Sequence, residues 1–144
     1  MRTEYSQLVK APRDRVYQAF TDYEAIPTWD RVLFKRVTVT ERGPNTATLD
    51  EDVRFMGMKM RRTERHVLTP PEKVEVDGSV RDAINTTVWT LQTVPEGTML
   101  TAELEVQFKG LLKLLQPLAE RQIRTVLPEW MREFASYVEA QQPS

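Results

Sequence analysis

The side chains best suited to chemistry lie in one segment, residues 58–68, which reads as a β-strand. Arg62, Glu64 and His66 occupy alternate positions there, so in a strand all three project from the same face. His66 is the single histidine of the chain, and imidazole is the natural side chain for proton transfer near neutral pH. Arg62 is suited to anchor a carboxylate, phosphate or phenolate group within an apolar pocket. Acid–base chemistry and polar anchoring of a ligand are therefore both available to this strand.

Glu51 is the second unusual position, because it interrupts an otherwise apolar face of the predicted strand 46–55. If both strands turn these faces toward a cavity, a buried Arg62 needs Glu64, Glu51 or an anionic ligand nearby as its counter-charge. A strand bulge would instead turn Arg62 and Glu64 to the rim as a solvated ion pair, and Glu51 outward. His66 is open to the same two interpretations, as an acid–base residue or as a structural or exposed side chain.

Apolar side chains would form the rest of such a pocket. Met58 and Met60 offer an adaptable lining, because unbranched thioethers accommodate varied shapes. Trp89, central on a later strand, offers a broad apolar surface for a cavity floor. Ordinary core packing is the alternative for all three. The predicted ligand-binding residues are Glu51, Phe55, Met58, Met60, Arg62, His66, Val76, Trp89, Leu104, Ile123 and Val126.

Composition excludes several classes of function. The 144 residues include 20 basic and 21 acidic side chains, so no overall basic field exists to hold nucleic acid. The absence of cysteine excludes disulfides and thiolate chemistry, and one histidine is too few for a histidine metal cluster. We predict no cofactor and no metal. No apolar run suggests a signal peptide or a membrane-spanning helix, so we expect a cytoplasmic protein without integral membrane association.

The elements that would position these residues follow from periodicity and turn signals. A first strand leads through Ala11-Pro12 into a short helix, and a second short helix ends at Trp29. Alternating apolar positions then predict six strands, and a 3- to 4-residue repeat predicts a long amphipathic final helix. The predicted strands are 3–10, 33–41, 46–55, 58–68, 73–80, 84–94 and 99–108, followed by a helical turn at 111–116 and a helix at 117–140.

The final helix has one irregular position, Pro128, where we predict a kink rather than an end because the apolar stripe continues past it. Leu118 is expected on that stripe, and Trp29 is expected to close the joint between the second short helix and the sheet. A curved antiparallel sheet covered by one long helix buries both apolar faces. We therefore predict an α+β fold, and a single domain over residues 1–144.

The order and spacing of these signals resemble the START-like superfamily of lipid-transfer domains and polyketide cyclases. The resemblance rests on Ala11-Pro12 followed by Val16-Tyr17, on Trp29-Asp30, on the Gly97-Thr98 turn and on the step from Gly110 into the last helix. It covers nearly the whole chain. It implies a helix-grip fold, in which a seven-stranded sheet wraps around the C-terminal helix and leaves a cavity between them.

The resemblance leaves three functions open. The first is a carrier or sensor that binds a hydrophobic small molecule or lipid in the cavity. The second is a polyketide or aromatic cyclase or dehydratase, which would need His66, Arg62 or Glu51 in contact with a substrate. The third is the role of coenzyme Q-binding and ribosome-associated members, which share a segment like Asp22 to Pro27, although the near-neutral charge disfavours a ribosome partner.

Overall fold

The computed structural model describes residues 1–141. Its strands are β1 (Arg2–Val9), β2 (Phe34–Arg42), β3 (Thr46–Phe55), β4 (Met58–Thr69), β5 (Lys73–Val80), β6 (Ala83–Val94) and β7 (Gly97–Phe108). Its helices are α1 (Arg13–Phe20), α2 (Ile26–Trp29), α3 (Gly110–Leu114) and α4 (Gln116–Ala140), with a 3₁₀ turn at Tyr23–Ala25. All neighbouring strands are antiparallel, in the order β1-β7-β6-β5-β4-β3-β2. The predicted α+β helix-grip fold is confirmed.

Strict alternation places one face of the sheet against the core. In β4, Glu64 and His66 are buried while their neighbours Thr63, Arg65 and Val67 are exposed. This is the face pattern that the sequence predicts for a half-covered antiparallel sheet. Since β3 and β4 pair without a register shift, Glu51 lies directly opposite Arg62. The bulge that would have turned these side chains to the rim is absent from this pairing.

As predicted, helix α4 does not end at Pro128 but continues to Ala140. Its buried stripe passes through Ala119, Trp130, Met131, Phe134, Ala135 and Val138. Leu118 was expected on this stripe, but 56% of its side chain is exposed. The reason is angular, because adjacent residues lie about 100° apart around a helix and Ala119 takes the inward position.

An aromatic cluster joins the helices to the sheet. The ring of Phe20 in α1 lies 5.0 Å from Trp89 in β6 and 5.6 Å from Phe134 in α4, measured between centroids. Trp29 was expected to pack between α2 and the sheet, and the structure places its ring against α4, 5.2 Å from Trp130. The long helix carries the large aromatic surfaces of this cluster, so α2 buries its tryptophan there.

The Gly97-Thr98 turn packs against the end of β1 and the segment that leads into α1. A Cβ at Gly97 would lie 2.4 Å from the carbonyl oxygen of Val9, so a larger residue cannot fit without moving the backbone. The buried Thr98 hydroxyl donates a hydrogen bond of 2.8 Å to the carbonyl of Ala11. The segments around Ala11 and Thr98 are thus in direct contact although they are distant in the sequence. Both are among the segments on which the family resemblance rests.

Asp30 connects the segment after α2 to the C-terminal helix. Its buried carboxylate accepts hydrogen bonds from the backbone N–H groups of Val32, Leu33 and Phe34 at 2.7–3.1 Å. It also accepts the indole N–H of Trp130 at 3.0 Å. A carboxylate that is removed from water is thereby supplied with four donors, which is what its burial requires.

Candidate functional site

A cavity of about 190 Å³ lies between the inner face of the sheet and the helices. Its walls are mainly apolar, and they include the aromatic rings of Phe20, Trp89 and Trp130. Residues from β2 to β7, from α3 and from α4 all reach it, so the cavity depends on the whole fold. Of the residues predicted to bind a ligand, those that line it are Glu51, Phe55, Met60, Arg62, His66, Val76, Trp89, Leu104, Ile123 and Val126.

Met58 lies outside this lining. It is the first residue of β4, immediately after the turn at Met56-Gly57, and it packs with Met56 at the edge of a smaller apolar cluster around Val106 and Leu112. Period-2 alternation places Met58 on the inner face correctly, but it does not indicate how far along the strand the cavity extends.

Arg62 is the centre of the polar end of the cavity. Its guanidinium lies 3.1 Å from Glu64 (Nη2 to Oε2) and 3.9 Å from Glu51 (Nε to Oε1). Nη2 also donates a 2.6 Å hydrogen bond to the side-chain oxygen of Asn85. Asn85 in turn donates to the hydroxyl of Thr87 at 3.1 Å. The network therefore joins side chains of β3, β4 and β6, and it crosses over β5, which lies between β4 and β6.

Gly78 makes the reach of Arg62 possible. It lies in β5, paired with Glu64 on one side and Asn85 on the other. A Cβ there would lie 2.8 Å from Nη2 of Arg62 and 2.5 Å from Oδ1 of Asn85. Since a side chain at this position would occupy the space of the hydrogen bond, the missing Cβ is what lets Arg62 extend across β5 to β6.

The two carboxyl groups beside Arg62 take opposite protonation states. Burial, followed by the nearby Glu64 carboxylate, raises the pKa of Glu51 well above its usual range, and Arg62 opposes this only in part. Burial also acts on Glu64, but the adjacent Arg62, helped by Glu51 and His66, outweighs it and holds the pKa of Glu64 below its usual range. One guanidinium stabilises one carboxylate, so at neutral pH Glu64 is ionised and Glu51 is protonated.

Within the described residues, Glu51 itself and two other buried groups at this end of the cavity, His66 and Tyr23, lack hydrogen-bond partners. Within residues 1–141, neither oxygen of Glu51, neither ring nitrogen of His66 nor the hydroxyl of Tyr23 meets hydrogen-bond geometry with the protein. His66 Nε2 lies 3.5 Å from Glu64 Oε1, and the ring of Tyr23 stands edge-on to the His66 ring at 4.8 Å. Burial, with smaller contributions from nearby charges, raises the pKa of Tyr23, which keeps its hydroxyl protonated. Unpartnered buried groups of this kind indicate a place for a ligand atom or a water.

The acidic run Asp50-Glu51-Asp52 is divided between the two faces of the sheet. Asp50 and Asp52 lie on the outer face, where they pair with Arg36 and Arg61 at 2.8–3.0 Å. Alternation separates them from the inward Glu51, as the sequence predicts. The part of the chain that the structure describes contains no group of three acidic, histidine or cysteine residues arranged to hold a metal ion.

Several lining residues were absent from the sequence prediction. Asn85 and Thr87 share the inner face of β6 with Trp89, so counting back in twos from Trp89 would have found both. Glu64 was identified as a partner of Arg62 but not as a binding residue. Tyr23, Leu33 and Phe34 reach the cavity from the 3₁₀ turn and the start of β2, and no periodic signal marks positions in such irregular segments.

Comparison with known families agrees with this architecture. The family described as "Polyketide cyclase / dehydrase and lipid transport" matches residues 9–135, which is most of the chain. The chain belongs to this family. Helix-grip members of it bind hydrophobic ligands, and polyketide cyclases are among them. No curated protein matches the sequence.

Solved structures show the same fold at low sequence identity. Protein TTHA0849 from Thermus thermophilus superposes with a TM-score of 0.89 at 16% identity, over 99% of this chain and 100% of that one. The ZhuI aromatase/cyclase from Streptomyces sp. R1128 superposes with a TM-score of 0.85 at 15% identity, over 98% of this chain and 94% of that one. Ara h 8.0201 gives 0.75 at 11% identity, over 98% and 99%. Among the described residues, no helix has the length and apolar character needed to cross a bilayer.

Proposed function

We propose that this member of the family binds a hydrophobic small molecule or lipid in the cavity between the sheet and α4. The observation that carries the proposal is the cavity itself, a mainly apolar chamber with a polar cluster around Arg62. An apolar ligand body would lie against Trp89, Leu104 and Ile123, and its polar end would lie at the Arg62 cluster. Pockets of this composition bind through buried apolar area and take orientation from a few polar groups.

The proposal is tested by native mass spectrometry of the freshly purified protein, followed by solvent extraction. We expect a stoichiometric mass above the 16.8 kDa chain, lost on extraction. Leu104→Trp should lack the extra mass because the indole fills the cavity. Glu103→Trp is the matched control, since Glu103 lies on the exposed face of the same strand. A bare wild-type chain, or the same extra mass on all three proteins, would contradict binding in the cavity.

A second candidate function is that of a polyketide or aromatic cyclase or dehydratase acting in the same cavity. What favours it is that protonated Glu51, ionised Glu64 and His66 all line this cavity, with His66 3.5 Å from Glu64, because such groups can give and accept protons at a bound substrate. Shaping and polarising a folded chain can replace a nucleophile in this chemistry. Turnover of a poly-β-ketone analogue that is lost in His66→Ala would favour this function, and no turnover by the wild-type protein would exclude that substrate class.

A further inference from the structure

We propose that the polar end of the cavity selects an uncharged oxygen group, such as a ketone or phenol, and rejects carboxylates. This inference rests on the proposed function and specifies its ligand. The sequence alone suggested the opposite, an anion held by Arg62. The geometry changes this expectation, because the guanidinium already has Glu64 at 3.1 Å, Asn85 at 2.6 Å and Glu51 at 3.9 Å.

Counting charges shows why an anion is disfavoured. The titratable groups that face this end of the cavity are Glu51, Arg62, Glu64, His66 and Tyr23. Arg62 and Glu64 are ionised and lie 3.1 Å apart, so their charges cancel. Glu51 and Tyr23 are protonated and add no charge. A carboxylate entering it would be desolvated without gaining a free cation, which is costly in a buried site.

An uncharged ligand oxygen, unlike a carboxylate, would find hydrogen-bonding groups that have no partner in the protein. Glu51, His66 and Tyr23 each carry buried polar atoms without a hydrogen-bond partner in the described chain. Each of the three can donate a proton to a carbonyl or phenol oxygen, and a phenol can also donate back to the free imidazole nitrogen. A ligand oxygen that reaches one of these groups would satisfy a donor that is otherwise unpaired, which is a source of selectivity in a buried site.

Two nearly isosteric probes separate the possibilities. 2-Acetylnaphthalene and 2-naphthoate share the same rings and carbonyl, and differ by a methyl group in place of the charged oxygen. We expect isothermal titration calorimetry at pH 7.5 to show about tenfold or greater preference of the wild-type protein for the ketone. Equal or tighter binding of 2-naphthoate would overturn the inference and leave the proposed function intact. Failure of both probes to bind would count against both.

Variants of the two glutamates sharpen the test. Glu51→Gln leaves Arg62 paired with Glu64, and in Glu64→Gln the remaining Glu51 can ionise and replace the lost carboxylate. Either single variant should therefore still prefer the ketone. The double variant Glu51→Gln/Glu64→Gln leaves Arg62 without a carboxylate, and we expect its preference to reverse toward 2-naphthoate. A folded double variant, checked by circular dichroism, that still rejects 2-naphthoate would overturn the charge argument. The wild-type comparison remains decisive if the double variant does not fold.

Discussion

A carboxyl group that is fully buried without a hydrogen-bond partner, as Glu51 is among residues 1–141, costs the folded state stability whenever it has to ionise. The same group is useful if it stays protonated, because it then offers a hydrogen-bond donor in an apolar chamber. The way in which Glu51 makes the free energy of unfolding depend on pH therefore reports whether Glu51 is protonated, and the proposed ligand selection depends on that state.

Glu51→Gln should make stability less dependent on pH. Below the unfolded-state value of 4.5, Glu51 is protonated in both states and contributes no pH dependence. As the pH rises above that value, the unfolded chain releases the proton while the folded protein keeps it, so wild-type stability falls. Glutamine cannot ionise, and the free energy of unfolding of the variant relative to wild type should rise by up to about 1.4 kcal/mol per pH unit.

Urea denaturation of both proteins between about pH 5 and pH 9 measures this difference. Glu64 and Tyr23 do not confound the comparison, since the lowered pKa of Glu64 acts below this range and the raised pKa of Tyr23 acts above it. Parallel stability curves for the two proteins would contradict a folded-state Glu51 that stays protonated.

For individual residues, the sequence predicted which face of the sheet a side chain lies on better than it predicted which residues that side chain contacts. Alternation assigned Arg62, His66 and Glu51 to the inner faces of their strands because the period of a strand is two. It could not show that Arg62 reaches across β5 to Asn85. That contact depends on the register of three strands and on the missing Cβ of Gly78, and neither follows from local pattern.

At the scale of elements, Asp30 accepts four hydrogen bonds that connect the segment after α2 to α4. Removing its carboxylate leaves the backbone N–H groups of Val32, Leu33 and Phe34 and the indole N–H of Trp130 without an acceptor. Asp30→Ala should therefore lower the free energy of unfolding by roughly 3 kcal/mol or more, because buried donors without partners are costly. Urea denaturation gives the value directly.

Asp77→Ala is the matched control, since Asp77 is exposed on β5 and should lose little when truncated. Combining Asp30→Ala with Trp130→Phe in a double-mutant cycle isolates the hydrogen bond between α4 and the segment after α2. A coupling energy of about 1–3 kcal/mol is expected for a hydrogen bond to a charged group. A loss of stability in Asp30→Ala no larger than in the control would show that this carboxylate does not hold the two elements together.

Element boundaries were largely predictable, and contacts between elements were not. Strands β3 and β5 begin and end where alternation and turn residues placed them, because both features are local. Trp29 marks the limit of that approach. Its size predicted burial, but whether it packs on the sheet or on α4 depends on how α2 is oriented, which no local pattern encodes.

In the whole molecule, the apolar lining of the cavity and the polar cluster around Arg62 lie on the same face of the sheet, the face covered by the helices. Another apolar surface lies outside it, where Leu111, Leu114 and Leu118 are exposed on α3 and the first turn of α4. Any hydrophobic compound added to the protein therefore has two candidate locations. Which of them it occupies decides whether the cavity is a binding site.

The most direct measurement is therefore a nuclear Overhauser experiment on methyl-labelled protein with 2-acetylnaphthalene. Binding in the cavity predicts contacts from the ligand ring protons to the methyl groups of Val76, Leu104 and Ile123, which line it. The exposed methyl groups of Leu114 and Leu118 should show none. Contacts confined to those two leucines, or none at any methyl group, would contradict the proposal that this cavity holds a hydrophobic ligand.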